Sequence, residues 1–187
     1  MTGAALVALI LALQPVSAAF NPIITLAERA LGVFGTRDSL VVIAGQLVGG
    51  LLGAVLANLM FGLPAVSVAT QHRGGAGIWL AEVIATAGLV LIIFGAARGG
   101  RTDRIAYAVG AYIAAAYWFT SSTSFANPAV TIARGLSDTF AGIRPIDVPA
   151  FVVAQLVGAL VASMLSGWLF AERQSGHEMT ATGLQRL

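Results

Sequence analysis

Two asparagines in this chain, Asn21 and Asn127, each stand directly before a proline, and a threonine follows three residues later (Pro22 and Thr25; Pro128 and Thr131). The surrounding stretches, AAFNPIITLAER at 18–29 and SFANPAVTIAR at 124–134, are two copies of one motif. Asparagine is a favoured N-cap, and proline suits the first helical position, where its missing N–H leaves no bond unmade. Each copy therefore starts a short helix at Asn21-Pro22-Ile23 or Asn127-Pro128-Ala129. A helix start presents unpaired N–H groups and roughly half a positive elementary charge. The Asn oxygen accepts from its own first turn, which leaves the carboxamide NH₂ to donate to a water oxygen or a solute hydroxyl. One such residue would be an ordinary cap. Two at matching places of a repeat predict a shared site where a permeant exchanges its hydration for protein donors.

The elements that must position these helices are apolar. The 187 residues are 58% hydrophobic and 10% charged, with mean hydropathy +0.88, which excludes an ordinary soluble domain and a disordered chain alike. Segments near 3–20, 39–63, 78–97, 105–120 and 149–170 are almost free of charge. A spanning helix needs about 20 such residues, so five spans are expected, the first and fourth short. A helix that starts inside a bilayer is tolerated only when buried or lining a water-filled cavity. There is no Cys, hence no disulfide, thiol nucleophile or thiolate metal site. His72 and His177 lack ligand spacing, so no metal site is expected, and neither a cofactor nor an enzyme's nucleophile–base pair is indicated. The ten basic residues are all Arg and are scattered, which argues against a nucleic-acid partner.

A longer repeat contains the motifs. Gly45–Phe61 aligns without gaps on Ala154–Phe170, and both carry a small residue at every fourth position, a stripe suited to close helix packing in lipid. Each half, 1–63 and 76–170, reads as span, Asn-Pro half-helix, span; the second half has an additional span, Gly77–Ala97, in front. Units of three spans give an inverted repeat, and the counterpart of that helix would fall before Met1, either upstream or lost in a shortened relative. Met1–Ala19 carries signal-peptide features without a basic start, and also matches the segment before the second motif through Gly3-Ala4 and Gly110-Ala111. Seven Arg residues (29, 37, 98, 101, 104, 173, 186) fall on one side and three (73, 134, 144) on the other, which places the first set and a solvated tail, 171–187, in the cytoplasm.

These features resemble the major intrinsic proteins, the aquaporins and aquaglyceroporins, and most of all bacterial members with SFANPAVT followed by TFAGIRP (here Thr139–Pro145). The resemblance implies an all-α membrane protein with an aquaporin-like inverted repeat, here five transmembrane helices plus two re-entrant half-helices. It further implies one pore per subunit and a homotetramer in the lipid bilayer of the bacterial plasma membrane. The first motif departs from the family in reading Asn-Pro-Ile. Val130 stands where a constriction Arg is usual, and the other constriction positions match Ser124, Ala115 and Thr2. All four are small or medium and uncharged, so water and larger neutral solutes, glycerol-like polyols or undissociated metalloid acids, are expected to pass. Arg134, one turn beyond Val130, reads equally as a vestibule cation or a loop anchor. Glu28, at the matching place of the first motif, reads as a residue of the cytoplasmic pore mouth or, in preference, as paired with Arg29 or another loop charge. A charge inside a span, such as Glu82, is costly and by default functional. The resemblance implies that Glu82 accepts hydrogen bonds from the loop before the second half-helix. A coupled secondary transporter, and a non-conducting shortened relative with its first half-helix facing lipid, stay open as alternatives.

Overall fold

The computed structural model describes residues 1–184, with side chains through Phe170. The chain forms α1 (Thr2–Leu13), α2 (Pro22–Ala30), α3 (Thr36–Met60), α4 (Ala76–Arg98), α5 (Ile105–Phe119), α6 (Pro128–Ala133) and α7 (Val148–Leu184), and there is no strand among the described residues. Residues 171–184 continue α7 as backbone, and the solvation expected of their side chains lies outside the described residues, as do His177, Arg173 and Arg186.

Three segments have the length and apolarity to cross a membrane: α3, α4 and Pro145–Phe170. The other two expected spans are shorter, with 12 residues in α1 and 15 in α5. At 1.5 Å per residue these rise roughly 18 and 22 Å, short of a hydrocarbon core of about 30 Å. Pro15 ends α1 because it has no N–H with which to continue the ladder. The half-helices, of 9 and 6 residues, extend roughly 14 and 9 Å.

Packing follows the repeat. Helix α1 lies on α5 and α4 on α7, while α2 touches α3 and α7, and α6 touches α7 and α3. Each half-helix is thus clamped between one span of its own half and one of the other. Contrary to the expectation for a shortened chain, the first half-helix is largely covered: Pro22, Ile23, Ile24, Thr25 and Ala27 are buried, and Leu26 faces outward. The main apolar cluster, with Ile10, Ile23, Leu89, Val90, Phe94, Val109 and Ile113, joins α1, α2, α4 and α5.

The two copies of the small-residue stripe behave differently. On α7 it serves close packing: a Cβ on Gly158 would stand 2.5 Å from the Val83 carbonyl oxygen and 3.0 Å from the Thr86 Cβ on α4. On α3 the equivalent Gly49, with Gly45 and Gly53, meets no atom within 4 Å among the described residues. Helix α3 instead turns Gly50 toward α6, where a Cβ would lie 3.4 Å from the Ala129 oxygen.

Gly158→Ala should therefore lower the melting temperature of the detergent-solubilised protein by at least about 2 °C, since overpacking costs about 1–3 kcal/mol. Gly49→Ala should leave it unchanged or raise it slightly, because alanine is the better helix former. Paired melting curves check both.

Candidate functional site

Both half-helices begin as their sequences require. Asn21 (φ −148°, ψ 120°) and Asn127 (φ −159°, ψ 112°) are extended caps with proline at the first helical position. The Asn21 Oδ1 accepts from Ile23 N at 3.0 Å; the Asn127 Oδ1 accepts from Ala129 N at 3.0 Å and Val130 N at 3.3 Å. The amide nitrogens then cross between the repeats. Asn21 Nδ2 donates to the Ala126 carbonyl at 2.6 Å, and Asn127 Nδ2 donates to the Phe20 carbonyl at 2.8 Å. Phe20 and Ala126 each immediately precede the motif asparagine of their half. A carboxamide has two N–H groups, so each asparagine keeps one for a further partner.

Behind each cap lies a second layer in which sequence analysis assigned no role. The Thr131 Oγ1 donates to the Asn127 carbonyl at 2.8 Å and accepts from Gln155 Nε2 at 2.9 Å. Thr25 and Gln46 repeat the arrangement, with Gln46 Nε2 donating to Thr25 Oγ1 at 2.8 Å and to the Ala19 carbonyl. The signal was present in the recurrence of Thr and of Gln46/Gln155 at equivalent places, because identical polar residues in apolar helices need partners.

The loop before Asn127 is strained. Thr123, Ser124 and Ala126 have φ of 62°, 48° and 46°, a left-handed conformation costing roughly 1–3 kcal/mol for a residue with a side chain. Glu82, fully buried on α4, holds it. Its Oε1 accepts from Ser122 Oγ at 2.6 Å and Phe125 N at 2.8 Å; its Oε2 accepts from Ala126 N and Gln155 Nε2, both at 2.8 Å. All four partners donate, so the carboxyl group acts purely as an acceptor.

From the other side the buried Arg73 ties the same loop to a second one. Its guanidinium donates to the carbonyls of Gly142 (2.7 Å), Phe140 (2.9 Å) and Ser122 (3.1 Å). In the sequence Arg73 reads only as a charge on the outer side of the membrane, since nothing local reveals carbonyls brought in from residues 49–69 positions away. Asp147 anchors this region, accepting from Arg73 N at 2.8 Å, His72 at 2.9 Å and Arg144 Nε at 3.2 Å.

One cavity of about 420 Å³ takes in both asparagines. Thr2, Ser124 and Val130 line it, and the Ser124 Oγ is buried with no hydrogen-bond partner among the described residues. Ala115 does not line it. Helix α5 turns Ile113 and Tyr117 to the cavity, four residues apart on one face, and Ala115, two residues from each, is exposed on another. Pro22, Ile23, Pro128 and Ala129 are buried and shape the caps. Arg134 and Glu28 both line the cavity. The Arg134 guanidinium lies over the Phe125 ring at 4.2 Å, with Nη2 3.5 Å from the Tyr117 hydroxyl. The pairing expected for Glu28 is absent among the described residues: Arg29 donates to Thr36 Oγ1 at 2.8 Å, and the Glu28 Oε2 has no partner.

An all-helical membrane protein with two half-helices meeting cap to cap on one lumen is of the channel class. The chain belongs to the major intrinsic protein family. The family profile of that description matches residues 98–185. Aquaglyceroporin AqpS of Rhizobium meliloti (strain 1021) is 46% identical over 169 residues, 90% of this chain and 72% of that protein. Membership indicates an integral membrane channel rather than an enzyme.

Glu82→Gln would set an amide donor against donors it cannot satisfy. It should cost roughly 2–4 kcal/mol, read as a lowered unfolding midpoint in detergent.

Proposed function

We propose that the chain is a passive channel for water and small neutral solutes, with a constriction wide enough for glycerol-like polyols or undissociated metalloid acids. The observation that carries this reading is the single cavity on which both motif asparagines, Ser124, Val130 and Thr2 converge. Each asparagine has an N–H to spare, and the Ser124 hydroxyl is unpartnered, so a hydroxylated solute finds donors there in place of its water. Val130 adds an apolar wall where a guanidinium would narrow the passage and bind water strongly. The relative's description as an aquaglyceroporin accords with a wide filter.

Coupled transport is disfavoured because Glu82, the buried acid of the spans, lies off the cavity with its oxygens fully engaged by the second loop. In this reading residues 1–170 are one channel domain, α1 and α5 are its two short spans, with their flanking turns and local thinning of the bilayer making up the missing length, and the Arg134 end of the lumen faces outward.

The test is solute-driven swelling of vesicles reconstituted with the full chain. Glycerol flux should scale linearly with its gradient and ignore ion gradients. Ion-coupled flux, or none, would overturn the reading. Val130→Arg should cut glycerol flux at least tenfold while water flux falls by less, because it restores bulk and charge beside Asn127.

A further inference from the structure

The cavity-lining residues of the two half-helices correspond one to one. Asn21, Ile24 and Glu28 on the first occupy the same places as Asn127, Val130 and Arg134 on the second, at steps of three and four residues that keep them on one face. The first pair is identical and the second is apolar in both. The third alone breaks the symmetry, and it does so in the sign of its charge.

Both charged groups belong to the lumen rather than to surface ion pairs. Glu28 has one carboxyl oxygen buried and without a partner among the described residues, and its neighbour Arg29 is engaged with Thr36. Arg134 makes no ion pair among the described residues; its partners are the face of Phe125 and the Tyr117 hydroxyl, neither of which neutralises it. The half-helices start at the middle and point their C-terminal ends outward, so the two charges stand toward opposite ends of the cavity.

We propose that Glu28 is a charge-selecting residue of the channel: with Arg134 at the opposite end it makes the lumen reject anions as well as cations. An anion attracted at Arg134 must still pass the Glu28 carboxylate, and a cation attracted at Glu28 must pass both the positive helix starts and Arg134. A solute without net charge meets neither barrier. In a confined lumen a unit charge encountered at close range alters ion entry by about tenfold or more. The inference rests on the channel reading above and adds the group that keeps weak-acid anions out of a pore that would otherwise present only positive charge.

The experiment compares vesicle fluxes of glycerol, methanesulfonate and guanidinium, the two ions being charged at any working pH. Glu28→Gln should raise the methanesulfonate-to-glycerol ratio about tenfold, and Glu28→Asp should keep it within about threefold of wild type. Arg134→Gln should raise the guanidinium-to-glycerol ratio, with Arg134→Lys close to wild type. Glu28→Ser gives the same readout should Glu28→Gln fail to reach the vesicles. Glycerol flux with an unaltered methanesulfonate ratio in the neutral variants would overturn this inference alone. Wild-type vesicles impermeable to glycerol would overturn the channel reading and this inference with it.

Discussion

Two helix starts, each carrying a partial positive charge, are held facing one another in the interior, and the rest of the structure is arranged around making that tolerable. The crossed bonds from Asn21 to the Ala126 carbonyl and from Asn127 to the Phe20 carbonyl are the closure. Neutral hydrogen bonds of this kind contribute only about 1 kcal/mol each, so they set geometry more than they supply stability. The holding comes from the spans. Helices α3 and α7 each touch both half-helices, and Gln46 and Gln155 on them fix the threonine that in turn holds each cap's carbonyl.

The two halves reach this common geometry with unequal support. In the second half Glu82 gathers Ser122, Phe125, Ala126 and Gln155, and the strain of the three left-handed residues of that loop is offset by bonds to its two carboxyl oxygens. In the first half the corresponding backbone is reached from α3 through Gln46 and the Ala19 carbonyl, and from Asn127 through the Phe20 carbonyl. The same imbalance appears in the small-residue stripe, closely packed on α7 and open on α3. Related sequences thus sit in different surroundings, because α4 has no counterpart among the described elements of the first half.

What the sequence made legible was local or repeated. The caps follow from Asn-Pro, the half-helices from their brevity between apolar segments, and the kinship of α3 and α7 from an ungapped alignment. Features that depend on rotation or on distant loops were not legible. The family resemblance put Ala115 at the constriction, yet the cavity face of α5 is set by how Gly110 and Ala114 seat against Gly3, and that contact turns Ile113 and Tyr117 inward. Arg73 looked like one more loop charge because its carbonyl partners become neighbours only once the loops fold together. Glu28 was assigned to an ion pair on the general habit of exposed charges, and the habit fails where the residue lines a cavity.

The seat of Arg134 has a structural reason as well as a chemical one. Four residues along a helix carry a group about 6 Å along its axis, and there the Arg134 guanidinium meets the Phe125 ring and the Tyr117 hydroxyl. There the guanidinium rests on an aromatic face that Arg73 also approaches, at 4.9 Å, so one ring serves a loop tie and a lumen residue together. Position 130 is left with a side chain that cannot hydrogen-bond, and the polar character of that level falls to Ser124 and Asn127. In the proposed channel, a passage whose donors are an unpartnered hydroxyl and single carboxamide N–H groups makes few demands on what it admits beyond a hydrogen-bond acceptor and modest size. On that proposal discrimination by charge falls to the ends of the lumen, where the half-helices carry Glu28 and Arg134.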